Sequence, residues 1–447
     1  MEMIAETACR QHNWHKKFKK YVCKVIGTVF VGLVLTQPVG AAPIALSLED
    51  SLALALQNNA DVKIAESFRD KAYWAIKQAR ANKNISISLT HTDTYYSVPV
   101  DISGYYSNNY FANALSLSLP LYSGGKLETQ IEQALRDAKV AELNLTAAKQ
   151  QLRQNVTTSY FNVLQYKKEM EVNQETVDNY TAHLKHVRDQ YQIGAVAKLD
   201  VLSSQVELAN AQDNLIKAQS DYAVAVASLN NMIGLPIDSE IELKDELSYV
   251  PFTATFEECI RQALDNRPEI AVYQTKITSA QADVKIAKSG YDPTVQLTLT
   301  QGWYDGDLPG LNNSNWTAGL TASMNIFDSG LNKSKVKQAE YSLTAAQEQA
   351  RQQRENILLE VRQYYVSMRE AEKRIDLKKV AVEQATERLN ITEAQYKSGV
   401  GTNLDVFDAV LALNQAKLNN IKALYDYNTS KAQVEKAIGT AIVEKGR

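Results

Sequence analysis

Cysteine is nearly absent from this chain of 447 residues: Cys9, Cys23 and Cys259 are the full complement. The first two fall in an expected leader, so one thiol remains, which excludes an intrachain disulfide and a cysteine-based metal cluster. Proline (9) and glycine (18) are also scarce. Their lack argues against a compact, loop-rich enzyme and leaves room for long unbroken helices. No apolar run after residue 41 approaches the ~20 residues of a membrane helix, so entry into a membrane would have to be as a β-barrel. Positive charge is not in excess. The chain carries −3, and residues 1–41 hold six Lys/Arg against two Asp/Glu, so the rest carries −3 − 4 = −7. A mildly acidic chain with no basic stripe argues against nucleic acid as a partner. No nucleophile elbow, phosphate loop or paired-cysteine metal motif occurs, so no enzyme activity, no cofactor and no metal are expected. His183 and His186 are three apart on one helix, but two ligands make a poor zinc site. Asp305-Gly306-Asp307 is a fragment of a calcium loop whose remainder is missing; it reads as an outward-facing hairpin tip.

What the N-terminus does hold is an export signal. Lys16, Lys17, Lys19, Lys20 and Lys24 precede the apolar run Val25 to Leu35, which is too short to span a bilayer. Val39-Gly40-Ala41 supplies small residues for cleavage after Ala41. An uncleaved anchor is the alternative, and the shortness of the run disfavours it. Cys23 precedes the run, so no N-terminal lipid is expected.

The remainder repeats itself. Tyr191-Gln192-Ile193-Gly194 parallels Tyr396-Lys397-Ser398-Gly399, and Leu199-Asp200-Val201 parallels Leu404-Asp405-Val406, an offset of 396 − 191 = 205. Near the start of each repeat, Ala55-Leu56-Gln57-Asn58-Asn59 parallels Ala263-Leu264-Asp265-Asn266-Arg267, at 263 − 55 = 208. The expected organisation is a signal peptide at 1–41, a first repeat at 42–233, a linker at 234–255, a second repeat at 256–440 and a tail at 441–447.

Each repeat contains two segments of period two, the mark of a strand with one apolar and one polar face. Ile85, Ile87 and Leu89 alternate with Ser and Thr, as do Leu115, Leu117 and Leu119; Val295, Leu297 and Leu299 follow suit, and so does Trp316 through to Ile326. Tyrosine and tryptophan gather near the strand ends: Tyr95, Tyr96, Tyr105, Tyr106, Tyr110, Trp303, Tyr304 and Trp316. Uncharged polar residues opposite apolar ones, with aromatic ends, suit a membrane barrel; a small soluble β-domain is the alternative. Four strands cannot close such a barrel, for which about eight is the minimum, so the barrel must be shared between chains.

Long helical patterns run from Gly125 to Ile193 and from about Gly330 to Lys397. Half-length ones run at Glu49–Lys83, Lys198–Asn231, Phe256–Ser289 and Asn403–Ile438. Val156, Val163, Met170, Val177, Leu184 and Tyr191 are spaced by seven, as are Val361, Met368, Ile375, Val382, Leu389 and Tyr396, which implies coiled-coil packing of core positions. Gly194 and Gly399 then mark turns between antiparallel helices.

With Tyr191-x-x-Gly194-x-x-x-x-Leu199-Asp200-Val201 repeated at Tyr396 to Val406, the chain resembles the TolC family of outer-membrane efflux and secretion ducts over about residues 46–440. The resemblance implies a mainly α fold with a membrane β-barrel: a homotrimer with an α-helical barrel of long coiled-coil helices and a shared 12-stranded β-barrel, four strands per chain. It implies an outer-membrane location extending into the periplasm, with outer-membrane lipid around the barrel. It also implies a channel role in a tripartite efflux pump or type I secretion system, with a periplasmic adaptor and an inner-membrane pump as partners. Adaptor docking would fall on Ile193, Gly194, Ala195, Ser398, Gly399 and Val400, where the family's usual Val-Gly-Leu is replaced. The pore constriction would use Asp405 and Asp408, with Asp200 and the latch tyrosine Tyr396. An arginine of some members' latch is Gly401 here. The rival readings are a periplasmic structural coiled-coil protein and a periplasmic adaptor. The first leaves the paired hairpins unexplained; the second would need lipoyl-like and β-barrel domains that the sequence lacks.

Overall fold

The computed structural model describes residues 43–440; residues 1–42, with the expected leader and its cleavage site, and 441–447, the expected tail, lie outside the described residues. Each half has the same element order. The first runs β1 (Ile44–Leu46), α1 (Leu48–Asn58), α2 (Ala60–Ala81), the hairpin β2 (Ser86–Ile102) and β3 (Tyr105–Tyr122), α3 (Lys126–Gln192) and α4 (Lys198–Ile233). The second runs β4 (Ile241–Leu243), α5 (Phe256–Asn266), α6 (Pro268–Lys288), the hairpin β5 (Thr294–Asp305) and β6 (Asn313–Ser323), α7 (Leu331–Lys397) and α8 (Asn403–Ala437).

Helices α3 and α7 have 67 residues each, roughly 100 Å at 1.5 Å per residue. Neither contains proline or glycine, so nothing interrupts the backbone ladder. Both start after a left-handed glycine, Gly125 (φ 78°) and Gly330 (φ 87°). The first-turn amides are taken up by Ser123 Oγ (from Leu127 N, 3.1 Å) and Asp328 Oδ2 (from Asn332 N, 2.9 Å). The short helices depart from the expectation of continuous segments over Glu49–Lys83 and Phe256–Ser289. Each is broken once, at Asn59 and Arg267, where the backbone is extended (ψ 134° and 123°). These are repeat-mates, 267 − 59 = 208. Pro268 explains one break, because proline drives the preceding residue out of the α region. At the other, the Asn59 side chain accepts from Asp61 N at 2.9 Å and donates to the Met232 carbonyl at 3.2 Å. It starts α2 while fastening the break to the end of α4.

Around these breaks lies the equatorial core. β1 and β4 pair in parallel, Ile44 with Ile241 and Leu46 with Leu243. One cluster buries Val62, Val156, Tyr160, Leu229 and Ile233; its repeat counterpart buries Cys259, Ile357, Val361, Met368 and Tyr427. The heptad residues of α7 are buried or half-buried throughout. In α3 the same holds except at the last position, since Tyr191 is 44 % exposed.

The hairpins form one antiparallel sheet in the order β2-β3-β5-β6. Ile87, Leu117, Leu299 and Ala318 fall in one cross-strand row; Ser88, Ser116, Thr300 and Thr317 fall in the next. Ser116 and Thr300 hydroxyls lie 3.2 Å apart. One face is therefore apolar and the other hydroxyl-lined, and the period of two places each residue on its face. Strand β6 ends at Ser323, short of the alternation read to Ile326; Met324, Ile326 and Phe327 are exposed beyond it. Pairing of β2 with β3 slips between Tyr95 and Val100, where Pro99 has no amide to donate. Ser103 and Gly104 turn that hairpin with positive φ at both, as a two-residue primed turn requires. Among the described residues, β2 and β6 each have a single partner strand, so the sheet has two open edges.

Candidate functional site at the helical tips

Far from the sheet, α3 turns into α4 and α7 into α8. Both turns end their helices in the same way. Gly194 donates to the Tyr191 carbonyl (3.0 Å) and Ala195 to Gln190 (2.9 Å); Gly399 donates to Tyr396 (3.1 Å) and Val400 to Gln395 (3.0 Å). With φ 77° at both glycines, each is a left-handed Schellman cap that satisfies the last carbonyls of the helix. A β-carbon on either glycine would meet nothing within 4 Å, so the glycine is required by backbone conformation and not by crowding. Ile193 and Val400 are both 80 % exposed. The six tip residues read from the sequence thus form two adjacent projecting turns with bare apolar side chains.

The four residues read as a constriction are not gathered into one cluster. Asp200 and Asp405 are repeat-mates that cap their helices: Ala197 N donates to Asp200 Oδ2 at 3.3 Å, and Thr402 N to Asp405 Oδ2 at 2.9 Å. The Thr402 side-chain and backbone hydrogen bonds hold the Asp405 carboxyl below the usual carboxylate range. Asp405 and Asp408 share an exposed face of α8 with Leu404 and Leu411, turned away from the buried Val406, Ala409 and Val410. Tyr396 lies on the other side, buried in the seam between the two helical hairpins, and burial followed by the Asp200 charge raises its phenol.

That seam contains residues not singled out from sequence as a site. The His183 ring lies 5.1 Å from Tyr396 and 5.6 Å from Phe407, centroid to centroid, and Tyr180 lies 6.0 Å from Phe407. His183 Nε2 is 2.6 Å from Asn403 Oδ1, and Asn403 Nδ2 donates to the Asp200 carbonyl at 3.2 Å. A signal was available: the repeat-mates of His183 and Asn403 are Arg388 and Lys198. A neutral pair stands where the other repeat has cations. No group of three or more potential metal ligands occurs among the described residues.

A family model described as outer membrane efflux protein matches residues 52–235 and 259–440. The chain belongs to that family. It is an outer-membrane efflux channel whose helical body extends into the periplasm. Among relatives, it is 25% identical over 398 residues to outer membrane protein TolC of Escherichia coli (strain K12), covering 86% of this chain and 80% of that one. It is 23% identical over 396 residues to the cobalt-zinc-cadmium resistance protein CzcC of Cupriavidus metallidurans, covering 88% and 90%. Crystal structures of CusC share its fold with a TM-score of 0.76 at 20% identity, over 91% of this chain and 96% of that one. The open state of the MtrE outer membrane channel of Neisseria gonorrhoeae does so with a TM-score of 0.74 at 19% identity, over 88% of each.

Proposed function

We propose that three copies close into one duct, and that the helical tips receive cargo from a periplasmic adaptor and an inner-membrane pump. The observation that carries this reading is the pair of open sheet edges on a sheet with an apolar face. An unpaired strand edge in hydrocarbon leaves backbone groups unsatisfied at a cost of about several kcal/mol each. Pairing β6 of one copy with β2 of the next removes every edge and gives three times four strands. The helices support the same closure. Ile64, Phe68 and Trp74 on α2 and Leu202, Val206 and Ile216 on α4 are exposed, as are Leu359, Val366 and Leu377 on α7. These apolar faces suit neighbouring copies.

In this reading Ile193, Gly194 and Ala195, with Ser398, Gly399 and Val400, are the adaptor-docking surface. Asp405 and Asp408 ring the narrowest passage, with Asp200 and Tyr396 behind them. The two repeats are 42–233 and 256–440, joined by 234–255. The test is deletion of the gene followed by assays of drug susceptibility and of secreted protein. Sensitisation or lost secretion, restored by the native chain, is expected; unchanged export of every class of cargo contradicts the role.

A further inference from the structure

The loop 306–312 joins β5 to β6 at the end of the sheet away from the helices, and it is folded back along β3. Asn113 Nδ2 donates to the Pro309 carbonyl at 2.8 Å and to the Gly310 carbonyl at 3.2 Å. The Tyr105 hydroxyl donates to the Asp305 carboxylate and accepts from Gly306 N at 2.7 Å. Asn312 Nδ2 donates to the other oxygen of the same carboxylate. Gly310, at φ 75°, lies hard against the strand. A β-carbon there would meet the Phe111 carbonyl oxygen at 2.6 Å and Phe111 Cβ at 2.8 Å, and one on Gly306 would meet Ser107 Cβ at 2.9 Å. Tyr105, Ser107, Phe111 and Asn113 all have odd numbers. By the two-residue period they share the face of Leu115, Leu117 and Leu119. The loop therefore lies on the apolar face of the sheet and not on the hydroxyl-lined one.

That face changes character where the loop covers it. Ile87, Leu117 and Leu299 make one row, and Leu89 and Leu115 begin the next. One row further, His91 stands beside Asn113, and beyond them Asp93 and Asp305 flank Phe111. Each of these polar groups is taken up locally. His91 Nδ1 is 2.8 Å from Asn113 Oδ1, and His91 Nε2 is 2.7 Å from Asp93 Oδ1. The loop and its flanks engage Asn113 Nδ2 and the Asp305 carboxylate. Such internal satisfaction is what polar groups require next to hydrocarbon. The loop turns its own leucines away from the strand: Leu308 is 65% exposed and Leu311 53%. Their height fits a bilayer. From Val295 to Trp303, β5 advances 303 − 295 = 8 residues, roughly 27 Å along the strand. At the tilt of a membrane barrel this is about 20 Å of height, inside an apolar band about 25 Å tall. Asn113 pairs with Trp303, so the loop is seated at the upper rim of the band, level with its tryptophans.

We propose that the loop 306–312 is a leaflet-facing flap: it lies outside the barrel wall, sets Leu308 and Leu311 among the acyl chains of the outer leaflet, and stays clear of the mouth of the duct. The inference rests on the channel reading, which turns the apolar face outward. The two leucines continue the apolar band across the rows where the strands turn polar. Lipid then meets one unbroken apolar surface, ending in the aromatic girdle.

The test uses the full chain, reconstituted into phosphatidylcholine liposomes. Nitroxide labels are placed one at a time at Leu308→Cys and Leu311→Cys, with Leu89→Cys on the apolar face and Ser88→Cys on the hydroxyl face as references. Cys259 is buried and stays unlabelled. Oxygen concentrates in lipid and a nickel chelate in water. The ratio of their collision rates should be severalfold higher at positions 308 and 311 than at 88, and should match that at 89. Dipolar spectroscopy between copies should give longer separations at Leu308→Cys than at Ser88→Cys, because one set lies outside the wall and the other inside. Labels at both leucine positions that meet the chelate as Ser88→Cys does overturn the flap. So do separations shorter than those at Ser88→Cys, which a loop arched over the mouth would give. Leu89→Cys in water, or Ser88→Cys in lipid, defeats the barrel reading itself, and the flap falls with it.

Discussion

At the scale of single residues, the aspartates of α8 divide their labour. Asp405 completes a capping box with Thr402, accepting from its backbone amide and hydroxyl. Asp408 is one turn further on the same exposed face. If three chains surround one axis, these positions supply six carboxylates to a narrow passage with low-dielectric walls, which focuses their field. Trivalent cations on the periplasmic side are therefore expected to block single channels, and Asp405→Asn with Asp408→Asn together should relieve the block. Block that is unchanged in the double variant would put the constriction elsewhere. In the isolated chain the Asp405 pKa is lowered by its cap, so neighbouring charges in an assembled ring would have to work against that. Arg267 is the second residue with a measurable stake. Its side chain is 4% exposed and bonds Glu269 at 2.8 Å and also Glu360. Burial alone would raise both glutamates; hydrogen bonds and charge from Arg267, with Lys436 assisting, outweigh it and hold both below their usual range. Arg267→Ala strands the partly buried Glu269 and leaves Glu360 to Lys436 alone, at 2.9 Å, and a loss of about 3 kcal/mol is expected, read as a lower unfolding temperature at neutral pH. The network's contribution is present above the ordinary glutamate pKa and lost as pH falls from there through the depressed values.

At the scale of elements, the tips are two helix ends closed by glycine. Gly194→Val or Gly399→Val places a β-branched residue in a left-handed conformation, at a local cost of about 1–2 kcal/mol. The sheet is roughly 100 Å away along the helix, so assembly should be spared. Export is expected to fall several times further than the yield of assembled protein in membranes; export lost only in proportion to that yield would make the tips purely structural. Long helices, paired hairpins and glycine turns were legible in the sequence because each rests on a local regularity: a seven-residue spacing, a two-residue alternation, an isolated glycine. The breaks at Asn59 and Arg267 were less so. Proline at 268 was a visible signal, but Asn59 acts through a bond to Met232, 173 positions away, and no local pattern encodes that. The seam pair was hidden for the same reason. His183 and Asn403 are 220 residues apart, and the only local pattern around His183 is its neighbour His186. Tyr191 and Tyr396 share one motif and one heptad position, yet one is exposed and the other buried. The repeat is faithful in backbone and unequal in packing.

At the scale of the whole molecule, one chain leaves bare the surfaces that the proposed closure would cover. Among the described residues its sheet has two unpaired edges, its strands expose Ile87, Leu89, Trp316 and Leu320, and its helices expose further large apolar side chains. In lipid such a sheet is tolerable only when closed; two chains would just reach the minimum of about eight strands, and the proposed three copies give three times four. The most direct test is the mass of the protein–detergent complex extracted from outer membranes, measured by light scattering with the detergent subtracted. The account predicts three chains per particle that dissociate only when the sheet signal in circular dichroism is lost. A homogeneous particle of one chain that keeps its native sheet would contradict it.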